Sequence, residues 1–247
     1  MNKNSFRGAC VCAFFRQILK LMKKTSGILI TALICSSALA AKFTETFGVD
    51  KADLASTGSN RFFVLTPGFQ TTFEGKEGGK QTVLTITVLN ETKMVDGVET
   101  RVVEEREVAE GQLAEVSRNY FAISRVTGDV YYFGEDSETY KNGKVSGIEG
   151  SWLSGVNGAH FGLAMPATPL LGARYFQELA PKVAMDRAEV TALEEKLETP
   201  AGHFENCLKT VETSAVEPGT ESKLYAPGVG LVLDGGLKLT KVVRGGL

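Results

Sequence analysis

The feature that most constrains this chain is a recurring punctuation: short runs of alternating apolar and polar residues, each ended by residues that favour a tight turn. Asp96-Gly97 and Asn142-Gly143 are two-residue hairpin signals, because both central positions of such a turn take a positive φ. Pro67-Gly68, Pro200-Ala201-Gly202, Pro227-Gly228 and Asp234-Gly235 interrupt the chain elsewhere. Between them, 82–89 sets Leu84, Ile86 and Val88 on one face and Thr85 and Thr87 on the other, the period of a half-buried strand. Further strands are expected at 61–66, 98–108, 113–125, 130–133, 174–179, 204–213, 224–225, 230–233 and 237–243. Residues 186–199 fit either a helix face through Val190, Leu193 and Leu197 or a strand through Ala188, Val190 and Ala192. The turn at 200–202 favours the strand.

These signals predict a single all-β domain over 61–247: an antiparallel, strongly curved sheet or incomplete barrel. A long Gly-rich loop, 146–171, is expected to pack across it, with Gly supplying unusual backbone angles. Residues 41–60 are polar and aperiodic, and read as a flexible lead-in.

The first 40 residues have the order of an export signal. Lys23 and Lys24 precede an apolar run beginning at Gly27, and small residues close it, with Ala38 and Ala40 placed for cleavage before Ala41. Met22 is the better start of that signal, since residues 1–21 carry an apolar patch of their own. The run is short for a bilayer span, so no transmembrane anchor is expected after cleavage. Bulky Ile34 precedes Cys35 where a lipoprotein signal takes a small residue, which argues against lipidation. The exported product would be periplasmic or extracellular.

Six of the 27 basic residues and none of the 29 acidic ones lie in 1–40, so the exported part carries a net charge of −8. That charge argues against nucleic acid and anionic membranes, both polyanions, as partners. Cys207 is the one cysteine outside the leader, so no intramolecular disulfide is expected.

Several stretches are family-like: Val130-Tyr131-Tyr132-Phe133-Gly134-Glu135-Asp136, Gly150-Ser151-Trp152, Met165-Pro166-Ala167 and Tyr175-Phe176-Gln177-Glu178. To these add Thr199-Pro200-Ala201-Gly202-His203-Phe204 with Cys207-Leu208, and Tyr225-Ala226-Pro227-Gly228-Val229-Gly230-Leu231-Val232. Together they resemble, over roughly residues 60–245, a family of secreted bacterial proteins without an assigned activity. The last phrase is also similar to the closing strands of exported antiparallel half-barrels. The resemblance implies export and a curved β fold, and carries no activity with it.

Candidate chemistry is sparse. Glu135-Asp136 at the end of an aromatic strand suits cation binding or acid–base work, and equally a solvated turn. His160 and His203 form no metal-ligand spacing. Cys207, in an alternating strand, reads as core packing. Ser151 lacks the Gly-x-Ser-x-Gly setting of a nucleophile. Trp152, the one tryptophan, suits either a core plug or a stacking platform. Alternate members of the aromatic set, including Tyr132, Tyr175 and Tyr225, would face inward on a curved sheet, where they either fill an ordinary aromatic core or line a cavity.

The function expected from these features is non-enzymatic: binding of an apolar or small ligand, or of a cell-envelope protein, without a cofactor. Candidate ligand-binding residues are Tyr132, Glu135, Asp136, Trp152, His160, Tyr175, Glu178 and Tyr225, with no catalytic or metal residue assigned. Two alternatives stay open. A secreted hydrolase would gather carboxylates from Glu135, Asp136, Glu178 and Asp186, with His160. A purely structural envelope protein would show no cleft.

Overall fold

The computed structural model describes residues 42–245, so the leader expected over 1–40 lies outside the described residues. A short 3-10 turn, Lys51–Asp53, is capped by Asp50, whose carboxylate accepts from the Ala52 N–H at 2.9 Å. Three two-residue strands follow: β1 (Leu54–Ala55), β2 (Ser59–Asn60) and β3 (Phe63–Val64). A first meander runs through β4 (Gln70–Glu77), β5 (Lys80–Val95), β6 (Val98–Ala109), β7 (Gln112–Ser124) and β8 (Val130–Lys141). Three shorter strands, β9 (Lys144–Gly147), β10 (Trp152–Leu153) and β11 (His160–Met165), all pair with β8. Next come β12 (Arg174–Phe176) and β13 (Glu178–Leu179). A second meander follows: β14 (Asp186–Thr199), β15 (Gly202–Ser214), β16 (Glu221–Ala226), β17 (Gly230–Asp234) and β18 (Leu237–Val243).

Every registered pairing between these strands is antiparallel, and the two meanders join at two places. At the first, β18 pairs with β4 through six registered pairs. At the second, β12 pairs with β14 while β13 pairs with β11, so residues 174–179 face one meander and then the other. The sheet is thus nearly closed into a barrel, with a seam at 174–179.

The hairpin turns follow from residue chemistry. Asp96 and Gly97 take φ of 50° and 79°, and Asn142 and Gly143 take 53° and 71°, the positive values a two-residue turn requires. Glycine also permits two close approaches. At Gly134 (φ 130°) a Cβ would collide with the Trp152 carbonyl, so only glycine lets β10 lie flush on β8. At Gly162 a Cβ would meet the Gln177 and Phe176 carbonyls, so the seam closes against β11 for the same reason.

Alternation along the strands feeds three cores. One lies inside the barrel and includes Phe62, Phe69, Val88, Val103, Phe121, Tyr132 and Tyr225. The opposite face of β6, β7 and β8 supplies Val102, Tyr120, Ala122, Tyr131 and Phe133, covered by Phe47, Leu54, Leu153 and Phe161. A third core, with Phe73, Leu224, Val232, Leu239 and Cys207, lies against Leu197 and Phe204 near the end of the β14–β15 hairpin. That hairpin reaches β18, where the Ala201 N–H donates to the Leu239 carbonyl.

Three expectations need adjusting. The strand expected at 61–66 shrinks to β3, because Asn60 Oδ1 accepts from the Phe62 N–H and bends the chain into a turn. The Gly-rich stretch 146–171 is only partly loop, since β10 and β11 lie within it and β11 joins the barrel wall. Residues 42–60, expected as a flexible lead-in, dock on the barrel instead of standing apart: β1 pairs with β7, Thr44 bridges Tyr175, and Leu54 is buried.

Candidate functional site

The barrel interior holds a cavity of about 310 Å³ that stays partly open to solvent. Its walls differ. One side is apolar, built from Phe69, Ile86 and Val88 of β4–β5 and its approaches, with Phe62, Phe63 and Val64 before it. The other side carries a series of ionisable residues, one from each of eight strands. Glu105 comes from β6, Glu115 from β7 and Glu135 from β8. Glu178 comes from β13, Asp186 from β14, Glu212 from β15, Lys223 from β16 and Asp234 from β17. Alternation sets Lys223 inward beside Leu224 of an outer core, while on β8 a register shift against β7 breaks the alternation and brings Tyr132 and Glu135, three positions apart, to the same inward face.

Lys223 is the one basic residue among the described lining residues. Its Nζ lies 3.2 Å from Asp234 Oδ1, 3.4 Å from Glu212 Oε2 and 3.8 Å from Glu221 Oε2. Glu212 is held further by Thr210 Oγ1 at 3.0 Å, Gln177 Nε2 at 3.2 Å and the Tyr225 hydroxyl at 3.3 Å. Across the cavity, the Tyr132 hydroxyl donates to Asn119 Oδ1, and Asn119 Nδ2 donates to Ser117 Oγ at 3.2 Å.

The carboxyls pay for this crowding in their proton affinity. Burial, with the charges of Asp234 and Glu115 adding to it, pushes Glu105 up to about 7. Burial and the neighbouring charge of Glu105 push Glu135 up to about 7 as well. Glu178 is raised well above the ordinary carboxyl range by burial, then by Glu135 and Asp186. These residues keep part of their surface accessible, but that surface faces the cavity, so the charge is still removed from bulk water. For Lys223 burial works the other way, and the carboxylates of Glu212 and Asp234 outweigh it, holding the ammonium charged.

The structure divides the candidates named from sequence. Tyr132, Glu135, Glu178 and Tyr225 line this cavity together. Asp136 and Trp152 line a second pocket of about 250 Å³, bordered by Leu153, Ala159, Ala180, Pro181 and Val183. Asp136 accepts from the Tyr120 hydroxyl at 2.5 Å and pairs with Lys93 at 2.7 Å, which holds its carboxyl below the usual range despite partial burial. Trp152 is buried, meets Tyr132 edge-on at 5.5 Å, and leaves its indole N–H without a partner. Tyr175 lines neither space; it sits in the interior core with an unpartnered hydroxyl. His160 is exposed on β11 and lines neither. His203 is exposed near the β14–β15 turn, bonded to Glu198 at 2.6 Å and Glu205 at 3.2 Å. Cys207 is fully buried, and Ser151 Oγ is engaged with the Ser137 backbone at 2.8 Å.

Sequence reasoning missed Glu105, Glu115, Glu212, Lys223 and Asp234. The Glu104-Glu105-Arg106-Glu107 stretch looks like a solvated face, and its inward members cannot be told from its outward ones when the interior is itself polar.

No family model matches the chain, and no curated protein matches it. Among solved structures it is similar to a putative lipoprotein from Parabacteroides distasonis ATCC 8503, at 14% identity and a TM-score of 0.38, covering 76% of this chain and all of that one. Among the described residues, no helix is long and apolar enough to cross a membrane.

Proposed function

We propose that this chain is an exported binding protein that carries a small ligand inside its barrel. One observation supports the reading above others: the cavity of about 310 Å³ with one apolar wall and one hydrogen-bonding wall, at the small end of the range that ligand sites occupy. The leader-like residues 1–40 support export to the periplasm or beyond. The test is native mass spectrometry of the protein purified from its own exported fraction, beside an Ala164→Phe variant that fills the cavity from β11. A small-molecule adduct on the first and none on the second is the expected result. Identical adducts on both would remove the cavity as the carrier.

A second reading is favoured by one observation, the meeting of Glu135, Glu178 and Asp186 around a single cavity. A hydrolase needs one carboxyl held protonated and another ionised within reach of the same bond. Turnover of ester or glycoside substrates that disappears in Glu178→Gln, with the fold intact, would establish it over simple binding.

A further inference from the structure

The ionisable wall of the cavity is neutralised unevenly. On the arc from β15 to β17, Lys223 lies within 3.4 Å of both Glu212 and Asp234. On the arc from β6 through β8 to β13, none of Glu105, Glu135 and Glu178 forms an ion pair among the described residues, and Lys223 reaches Glu105 and Glu178 only as a more distant charge. Three aromatic rings border that arc and line the same space. Phe63 lies 4.9 Å from Phe121, and Phe121 stacks on Tyr132 at 4.7 Å. The side-chain oxygen of Gln177, also lining the cavity, is buried without a hydrogen-bond partner.

Carboxylates, aromatic faces and a free amide oxygen share one preference: each favours a positively charged donor. An anion would find no counter-charge on this arc, whereas an ammonium offsets the mutual repulsion that raises the proton affinity of these carboxyls and so favours their ionised form. A metal ion fits less well, because among the described residues no three ligating side chains converge as a metal group. An ammonium satisfies all three kinds of group, and the adjoining apolar wall provides for a short hydrocarbon body.

We propose that the barrel binds a small organic cation, its ammonium set among Glu105, Glu135 and Glu178 and its apolar body against Phe63, Phe121 and Val88. This rests on the reading of the barrel as a ligand carrier, and it names the class of ligand.

The test uses three probes with the same hexyl body: hexylammonium, hexanol and heptanoate, each titrated calorimetrically into the exported chain. Fluorescence of Trp152 gives a second readout, since its ring meets Tyr132 on the cavity wall. Hexylammonium is expected to bind about tenfold or more tightly than hexanol, with heptanoate the weakest. In the Glu135→Gln/Glu178→Gln double variant, hexanol affinity should persist while the preference for hexylammonium collapses. Persisting hexanol binding also shows that the variant is folded. Equal affinity for all three probes would overturn the cation inference and leave the carrier reading standing. Failure of all three to bind would overturn both. A double variant that keeps the full preference would overturn the placement of the ammonium.

Discussion

The two faces of strand β8 make different proteins of the same wall. Outward, Tyr131 and Phe133 are sealed beneath Phe47 and Phe161, with Phe133 stacked on Phe161 at 4.8 Å and fully buried. Inward, Tyr132 and Glu135 face a cavity shared with other carboxyls and one lysine. Small barrels ordinarily fill their interiors with side chains. Here much of the dry packing is on the outside, under the lead-in, β10–β11 and the β14–β15 hairpin. The contrast teaches a division of labour: apolar burial under the outer flaps adds to the inner core in holding the wall, and one side of the interior is left free to be polar. A wall stabilised from behind tolerates a costly lining in front.

The sharpest way to break that division is to empty an outer core. Phe133→Ala should cost about 4 kcal/mol in denaturant unfolding, with a loss that is the same at pH 5 and pH 8. A strongly pH-dependent loss would mean that the two faces are not separable.

Next in size is Lys223→Met, which leaves Glu212 and Asp234 without their counter-charge. Breaking a fully buried pair costs ~3–5 kcal/mol, and the partial exposure of Lys223 reduces the expected cost to about 2 kcal/mol at pH 8. Denaturant unfolding at pH 8 checks it, and an unchanged midpoint would contradict the interior pairing.

A smaller effect of opposite sign is expected from Glu105→Gln. A carboxyl raised from 4.5 to about 7 by folding contributes stability that is present below pH 4.5 and is lost as pH rises through about 7. The wild type should therefore lose stability between pH 5 and pH 8, and Glu105→Gln should flatten that slope, adding roughly 1–2 kcal/mol at pH 8. Thermal melts across that range check the sign.

The smallest expected effect is at the surface. His203→Ala removes contacts to Glu198 and Glu205 among exposed groups, and the melting midpoint should not move.

Sequence was most informative where backbone geometry is set locally. Asp96-Gly97 and Asn142-Gly143 mark their turns because few other pairs accept two positive φ values, and the strand at 186–199 follows from the turn behind it. The barrel's closure was less legible: the pairing of β18 with β4 spans nearly the whole domain, and no local signal announces it. Within the site, Glu135 and Glu178 stood out because each lies two positions after an aromatic pair. Glu105 and Glu212 did not, since alternation reports which residues share a face without saying which face is wet. Four successive apolar residues at 130–133 carried the missing hint, a strand covered on both sides.

The two joints between the meanders are unequal. The β18–β4 joint has six registered pairs, while the seam holds three to β14 and two to β11. Mechanically the first is a hinge and the second a latch. A ring under thermal stress parts at its thinnest stitch, so the amides of 174–179 should exchange with solvent well before those of β4 and β18. Glu178 is part of that latch, and parting it would expose to bulk water a carboxyl whose proton affinity burial has raised, without unfolding either meander.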